Sequence, residues 1–134
     1  MGAKEQISNF LSTHPELRTD CGLYKPDSDS IKRIRFHTHG LKIKIFTGDW
    51  CPDCRIQLPR FLALILALDQ ENIDLEFIEM KRDMKDELGA AEMMNILAIP
   101  TFIFIRNEKE LGRIIERPRR RMEEDIAEIL DNRS

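Results

Sequence analysis

From residue 40 onward, apolar and polar positions alternate in blocks that predict regular elements. Leu41, Ile43, Ile45 and Phe46 form a β run that breaks at Thr47-Gly48. Ile56 to Leu68 is apolar enough for a largely buried helix, with Pro59 inside it as an expected kink. Ile73 to Met80 reads as a second strand and Asp86 to Ala98 as a helix. Thr101 to Ile105 is a strongly apolar strand, and Leu111 to Ile115 pairs with it across the polar turn at 106–110. Pro118 followed by Met122, Ile126, Ile129 and Leu130 predicts a closing amphipathic helix.

Before residue 40 the pattern is weaker. Ile7, Phe10 and Leu11 fall on one helical face, so residues 4–13 are expected to form a docked N-terminal helix ending near His14-Pro15. Residues 15–30 carry Pro, Gly, Asp and Ser without sustained period and read as a linker, placing an arm and linker over 1–25 and a domain over 26–134. Ile31 to His37 fits both periods and is read as a helix, with Ser28 able to cap it. Lys42 and Lys44 stand on what should be the central strand, on a face shared with Glu76, so a cross-strand ion pair under a thinly covered face, with a short or displaced first helix, is expected.

At 134 residues the chain is one domain's worth, and 42% hydrophobic with 34% charged residues excludes disorder and collagen-like structure. The longest unbroken apolar run, Phe61 to Leu68, is eight residues, far short of the ~20 needed to cross a bilayer. The start MGAKEQ lacks an apolar signal stretch, and Gln6 stands where a myristoylation signal wants Ser or Thr, so the expected location is the cytoplasm. A net charge of −3 gives no long-range field to gather nucleic acid or an anionic membrane.

Three cysteines are too few for a disulfide scaffold, yet Cys51 and Cys54 stand two residues apart in Cys51-Pro52-Asp53-Cys54. The pair follows a predicted strand and opens a predicted helix, where unpaired N–H groups and the positive end of the helix dipole favour a thiolate on Cys51. Pro52 falls at the first helical position, where its missing N–H costs nothing. Cys54 lies one turn in, close enough to attack a mixed disulfide made by Cys51. Redox chemistry is the favoured reading. The alternatives are a non-catalytic protein-binding adaptor and a zinc module, in which His37 and His39 would complete a Cys₂His₂ set. About eleven residues at ~3.3 Å each separate those histidines from the thiols, which disfavours zinc. Cys21 reads as a passive loop thiol, and Arg117 to Arg121 followed by Glu123, Glu124 and Asp125 as a solvated helix start.

With Trp50 directly before the first cysteine, Pro59 five residues after the second, and Ile99-Pro100-Thr101 before an apolar hairpin, the sequence resembles the thioredoxin family over roughly residues 40–134. Within it, WCPDC resembles the small thioredoxin-related proteins. The resemblance implies a thioredoxin-like α/β fold, a central mixed β-sheet flanked by helices on both faces and ending in an antiparallel hairpin. It implies Cys51 as nucleophile and Cys54 as resolving thiol, with a substrate groove at Trp50, Pro52, Asp53, Ile99, Pro100 and Thr101, where a substrate adds as a short strand. It further implies reduction of protein or small-molecule disulfides, with disulfide-containing substrate proteins as partners, no bound cofactor or metal, and a thioredoxin reductase-type electron donor. Three features depart from the family. The buried Asp six residues before the nucleophile is Ile45, and Glu79 stands where the neighbouring strand keeps its Lys. Glu79 is therefore the candidate proton acceptor, expected to be buried. Glu116-Arg117 replaces a glycine beside the site, and a glutaredoxin-like Gly-Gly pair is missing, which disfavours glutathione.

Overall fold

The apolar runs pair into one four-stranded sheet. The computed structural model describes residues 2–133. In chain order it comprises α1 (Ala3–Thr13), a 3₁₀ turn (Pro15–Leu17), α2 (Arg18–Leu23), α3 (Ser28–Arg35), β1 (Lys42–Thr47) and α4 (Pro52–Leu68). β2 (Asp74–Glu79), α5 (Ala90–Met93), β3 (Thr101–Arg106), β4 (Lys109–Ile115) and α6 (Met122–Arg133) follow. The sheet order is β2-β1-β3-β4, with β1 parallel to β2 and every other pairing antiparallel. This is the mixed sheet with a closing hairpin that a thioredoxin-like α/β fold requires.

Side-chain alternation assigns the two faces. Ile43, Ile45, Phe102 and Phe104 are fully buried on one face. α4 covers it through Phe61, whose ring lies 4.8 Å from that of Phe102. α6 closes the same face over Gly112, where an added Cβ would fall 2.9 Å from Ile129. The opposite face carries Lys44, Ile103 and Arg113, which are cross-strand neighbours. There the Arg113 guanidinium donates to the Met94 carbonyl at 3.0 Å, so α5 caps this side. α5 is a single turn, and the thin cover leaves Lys42 room to pair with Glu76 at 3.3 Å and Asp74 at 4.0 Å. The short helix is thus α5, whereas α1 runs for eleven residues.

α1 closes the free edge of β2. The Gln6 amide donates to the Leu75 carbonyl at 3.0 Å and accepts the Leu75 N–H at 2.9 Å, imitating a strand partner where an unpaired edge would otherwise be open. Ile7, Phe10 and Leu11 are buried beneath it.

Three predicted segments differ. Residues 15–23, read as linker, are helical and bury Leu17 and Cys21. The signals seen there as breakers act as helix-start chemistry, with Pro15 at the first turn and Asp27 capping α3 by accepting the Ser30 N–H. The helix expected over 86–98 shrinks to Ala90–Met93. The Asp86 carboxylate holds the Leu88, Ala90 and Ala91 N–H groups, and Gly89 and Asn95 adopt left-handed φ of 74° and 56°. Within this stretch Leu88, Met93 and Leu97 stand in solvent. The hairpin turn is tighter than expected. Asn107 and Glu108 alone turn the chain with φ of 52° and 64°, and a bulge leaves Leu111 out of register.

Candidate functional site

β1 delivers the chain through Gly48 to Cys51, which is the N-cap of α4. Its extended backbone lets the sulfur turn back and accept the Cys54 N–H at 3.3 Å, the task a Ser or Asp oxygen performs at other helix starts. The thiol therefore lies at the positive end of the helix dipole. It also lies 3.4 Å from the Ile99 carbonyl oxygen, to which it donates. The Ile99–Pro100 peptide is cis, and Pro100 and Thr101 are buried where β3 begins. The Thr101 hydroxyl donates to the Ala98 carbonyl at 2.7 Å, fixing the turn before the strand.

Cys51 and Cys54 are both nearly enclosed, and no disulfide joins them. Burial pushes the Cys54 thiol up to about 12, opposed by the Thr47 hydroxyl and the Gly48 backbone. Trp50 forms the rim. Its indole N–H donates to the Met80 carbonyl at 2.9 Å, and the Arg82 guanidinium lies over the ring at 5.9 Å. Gly48 permits this placement, since a Cβ there would come within 2.7 Å of the indole nitrogen. Pro52 is exposed and Asp53 partly so.

Glu79 does not occupy the buried position expected of it. It ends β2 opposite Thr47 with its side chain 53% exposed, because β2 is the edge strand and its last residue leaves the core. Its carboxylate is held by His14 at 3.0 Å. Ile45 is fully buried and apolar.

Glu116 stands beside the site with φ 64°, and its N–H donates to the Pro100 carbonyl at 2.7 Å. That left-handed conformation favours glycine, and a side chain with Cβ pays ~1 kcal/mol or more to hold it. Glu116→Gly is therefore expected to raise stability by about 1 kcal/mol, less the entropy that glycine adds to the unfolded chain. Urea denaturation checks this, and a destabilised variant would contradict it.

His14 is the residue that sequence reasoning missed. It sits at the end of α1, its side chain 12% exposed, stacked on Phe10 at 4.1 Å. Nδ1 lies 3.0 Å from the Phe10 carbonyl, while Nε2 lies 3.0 Å from both Asp49 and Glu79. Nothing local in the sequence marks a histidine that closes an amphipathic helix as a neighbour of residues 35 and 65 positions away. His37 instead pairs with Asp131 and His39 is exposed, and among the described residues neither joins the cysteines in a converging donor cluster. Cys21 is buried rather than in a loop, and burial raises its thiol above the ordinary value.

The thioredoxin family model, described simply as Thioredoxin, matches residues 22–128. Among curated proteins, a Brassica oleracea thioredoxin H-type is 29% identical over 70 residues, covering 52% of each chain. Arabidopsis thaliana thioredoxin H2 is 29% identical over 84 residues, 63% of this chain and 59% of its own. The chain thus spans about half the length of the curated relatives it matches. Among solved structures, a Pseudomonas aeruginosa protein of unknown function aligns over 98% of this chain and 84% of its own, with TM-score 0.65 and 19% identity. A protein named Trxlp from Edwardsiella tarda aligns over 78% of this chain and 95% of its own, with TM-score 0.54 and 20% identity. At such identities the structures speak for the fold.

Proposed function

The chain belongs to the thioredoxin family, and from that premise we propose that it is a thiol–disulfide oxidoreductase that reduces disulfides in substrate proteins. The observation that carries the reading is the placement of the Cys51 sulfur. It sits at the N-terminus of α4 and 3.4 Å from the Ile99 carbonyl, with Cys54 one turn behind. Cys51, as thiolate, attacks one sulfur of the substrate disulfide, and the other substrate sulfur leaves with the bonding electrons. The mixed disulfide rests against Pro100, while the backbone at Ile99 receives the substrate chain as a short added strand. Trp50, Pro52, Asp53 and Thr101 complete the groove, and the exposed Leu97 two residues before Ile99 adds apolar surface beside it. Cys54 then attacks Cys51, closing the intramolecular disulfide and releasing reduced substrate.

No cofactor need be bound, since the dithiol itself carries the two electrons; a thioredoxin reductase-type donor restores it. The proposed setting is a reducing compartment, the cytoplasm. No helix among the described residues is long and apolar enough to cross a membrane. Residues 1–25 serve, on this reading, as an arm docked on the domain formed by 26–134.

A Cys54→Ser variant tests the proposal. It is expected to hold substrate proteins as mixed disulfides on Cys51 that dithiothreitol releases, because the resolving attack is removed while the first attack remains. Absence of any dithiothreitol-sensitive adduct, with a folded variant, would reject the reductase reading.

A further inference from the structure

The dithiol reading leaves a chemical gap. The Cys54 thiol must lose its proton before it can attack the mixed disulfide, and its burial strongly opposes that loss. The strand position six residues before Cys51 is the apolar Ile45, and Glu79 faces solvent. What does approach Cys54 is the end of the N-terminal helix. His14, Cys54, Thr47, Gly48, Asp49, Arg55 and the flanking apolar side chains line a cavity of about 20 Å³. That is room for about one water.

We propose that His14 is the proton acceptor for Cys54 when the mixed disulfide is resolved, reached through one water in the cavity that both residues line. The inference rests on the dithiol reading above. The neutral tautomer that carries its proton on Nδ1, 3.0 Å from the Phe10 carbonyl, keeps the lone pair on Nε2 for this role. The proton leaves Cys54 for the water, and the water passes a proton to Nε2. The Cys54 thiolate attacks the Cys51 sulfur, the Cys54–Cys51 bond forms, and the bond from Cys51 to the substrate breaks. The substrate sulfur departs as a thiolate carrying the bonding electrons. The new imidazolium then has an acceptor at each nitrogen: the Phe10 carbonyl at Nδ1, and Asp49 and Glu79 at Nε2. His14 acts on the sulfur through water, so its role is that of a positioned base outside the substrate groove.

The surrounding charges suit that role. Burial disfavours the imidazolium, but the Phe10 carbonyl, Asp49 and Glu79 outweigh it and hold His14 above its ordinary 6.5. A stronger base than an ordinary imidazole results. Glu16 and Arg55 also line the cavity. The Arg55 guanidinium is held by the Asp49 carbonyl at 3.0 and 3.2 Å.

The pH dependences of rate and stability run in opposite directions. A base must be neutral to accept, so resolution should accelerate as pH rises through the His14 titration above 6.5. The contribution of protonated His14 to stability is full below 6.5 and fades as pH rises through its folded-state value. A purely structural histidine would give no inflection in that range, because resolution would then follow only the far higher titration of the Cys54 thiol.

The test uses the full chain with Cys21→Ala, reduced and mixed with excess 5,5′-dithiobis(2-nitrobenzoate). The first thionitrobenzoate released reports attack by Cys51 and depends on reagent concentration. The second, independent of concentration, reports resolution by Cys54. His14→Gln is expected to slow the second release about 100-fold and erase its inflection above pH 6.5, with the first release preserved. Should that variant fail to fold, the Asp49→Asn/Glu79→Gln pair retains His14 but removes the two carboxylate charges beside it. Its inflection should then move to lower pH. An unchanged second release and pH profile in His14→Gln, or an unmoved inflection in the paired variant, would overturn the assignment while leaving the dithiol reading intact. A wild-type chain that gives no second release would overturn the dithiol reading and this inference with it.

Discussion

Replacing Cys51 with serine will lower the rate of protein-disulfide reduction by at least about 1,000-fold, as loss of a covalent nucleophile does elsewhere. A serine hydroxyl at the same N-cap accepts the Cys54 N–H as well as sulfur does, so the helix start should survive and the loss be chemical. Cys54→Ser will behave differently, retaining the first attack and halting at the mixed disulfide. Iodoacetamide at mildly acidic pH provides an independent check. Cys21 and Cys54 are both held above the ordinary thiol value by burial, whereas the Cys51 sulfur lies at a helix N-terminus. Cys51 should be labelled first. Preferential labelling of Cys21 or Cys54, or reductase activity retained by Cys51→Ser, would overturn the order of the two thiols.

How much of this was legible in the sequence depends on whether the governing interaction is local. The strand from Leu41 to Phe46 and the buried helix after it announced themselves by period and composition, because burial on a face imposes a repeat along the chain. The Cys51 cap was legible too, since strand, break and Cys-Pro are consecutive. Period failed over residues 86–98, where side chain-to-backbone bonds from Asp86 and left-handed residues unwound a segment that composition favoured as helix. His14 was invisible for another reason. Its role comes from the docking of α1 across β2 and α4, contacts far apart in the chain. Glu79 was misread because its strand was identified correctly but its place on the sheet edge was not.

The arginine- and glutamate-rich stretch at the start of α6 conceals the last of these long-range effects, because Glu123 is fully buried although the charged residues around it, Arg121, Glu124 and Asp125, are exposed or half-buried. Its carboxylate accepts the Tyr24 hydroxyl at 2.8 Å and the Asp27 N–H at 2.7 Å, and pairs with Arg121 at 2.9 Å. Two of these partners belong to the segment joining α2 to α3, so one carboxylate ties the N-terminal third of the chain to the closing helix. Burial and this carboxylate hold the Tyr24 phenol above its ordinary value, so it remains a donor. Glu123→Ala strands the Tyr24 hydroxyl and the Asp27 N–H, and because both are only part-buried each costs toward the lower end of the ~1–3 kcal/mol of a buried group left unpaired. The Arg121 pair adds little, because that side chain is 47% exposed and screened by water. The expected loss is about 2–4 kcal/mol, read as a lower urea midpoint at unchanged slope. Glu123→Gln keeps the shape and one acceptor oxygen but turns an NH₂ toward the second donor, so it should lose roughly half as much. A loss below about 1 kcal/mol in the alanine variant would mean that water replaces the carboxylate and that the N-terminal segments are held by their apolar contacts alone.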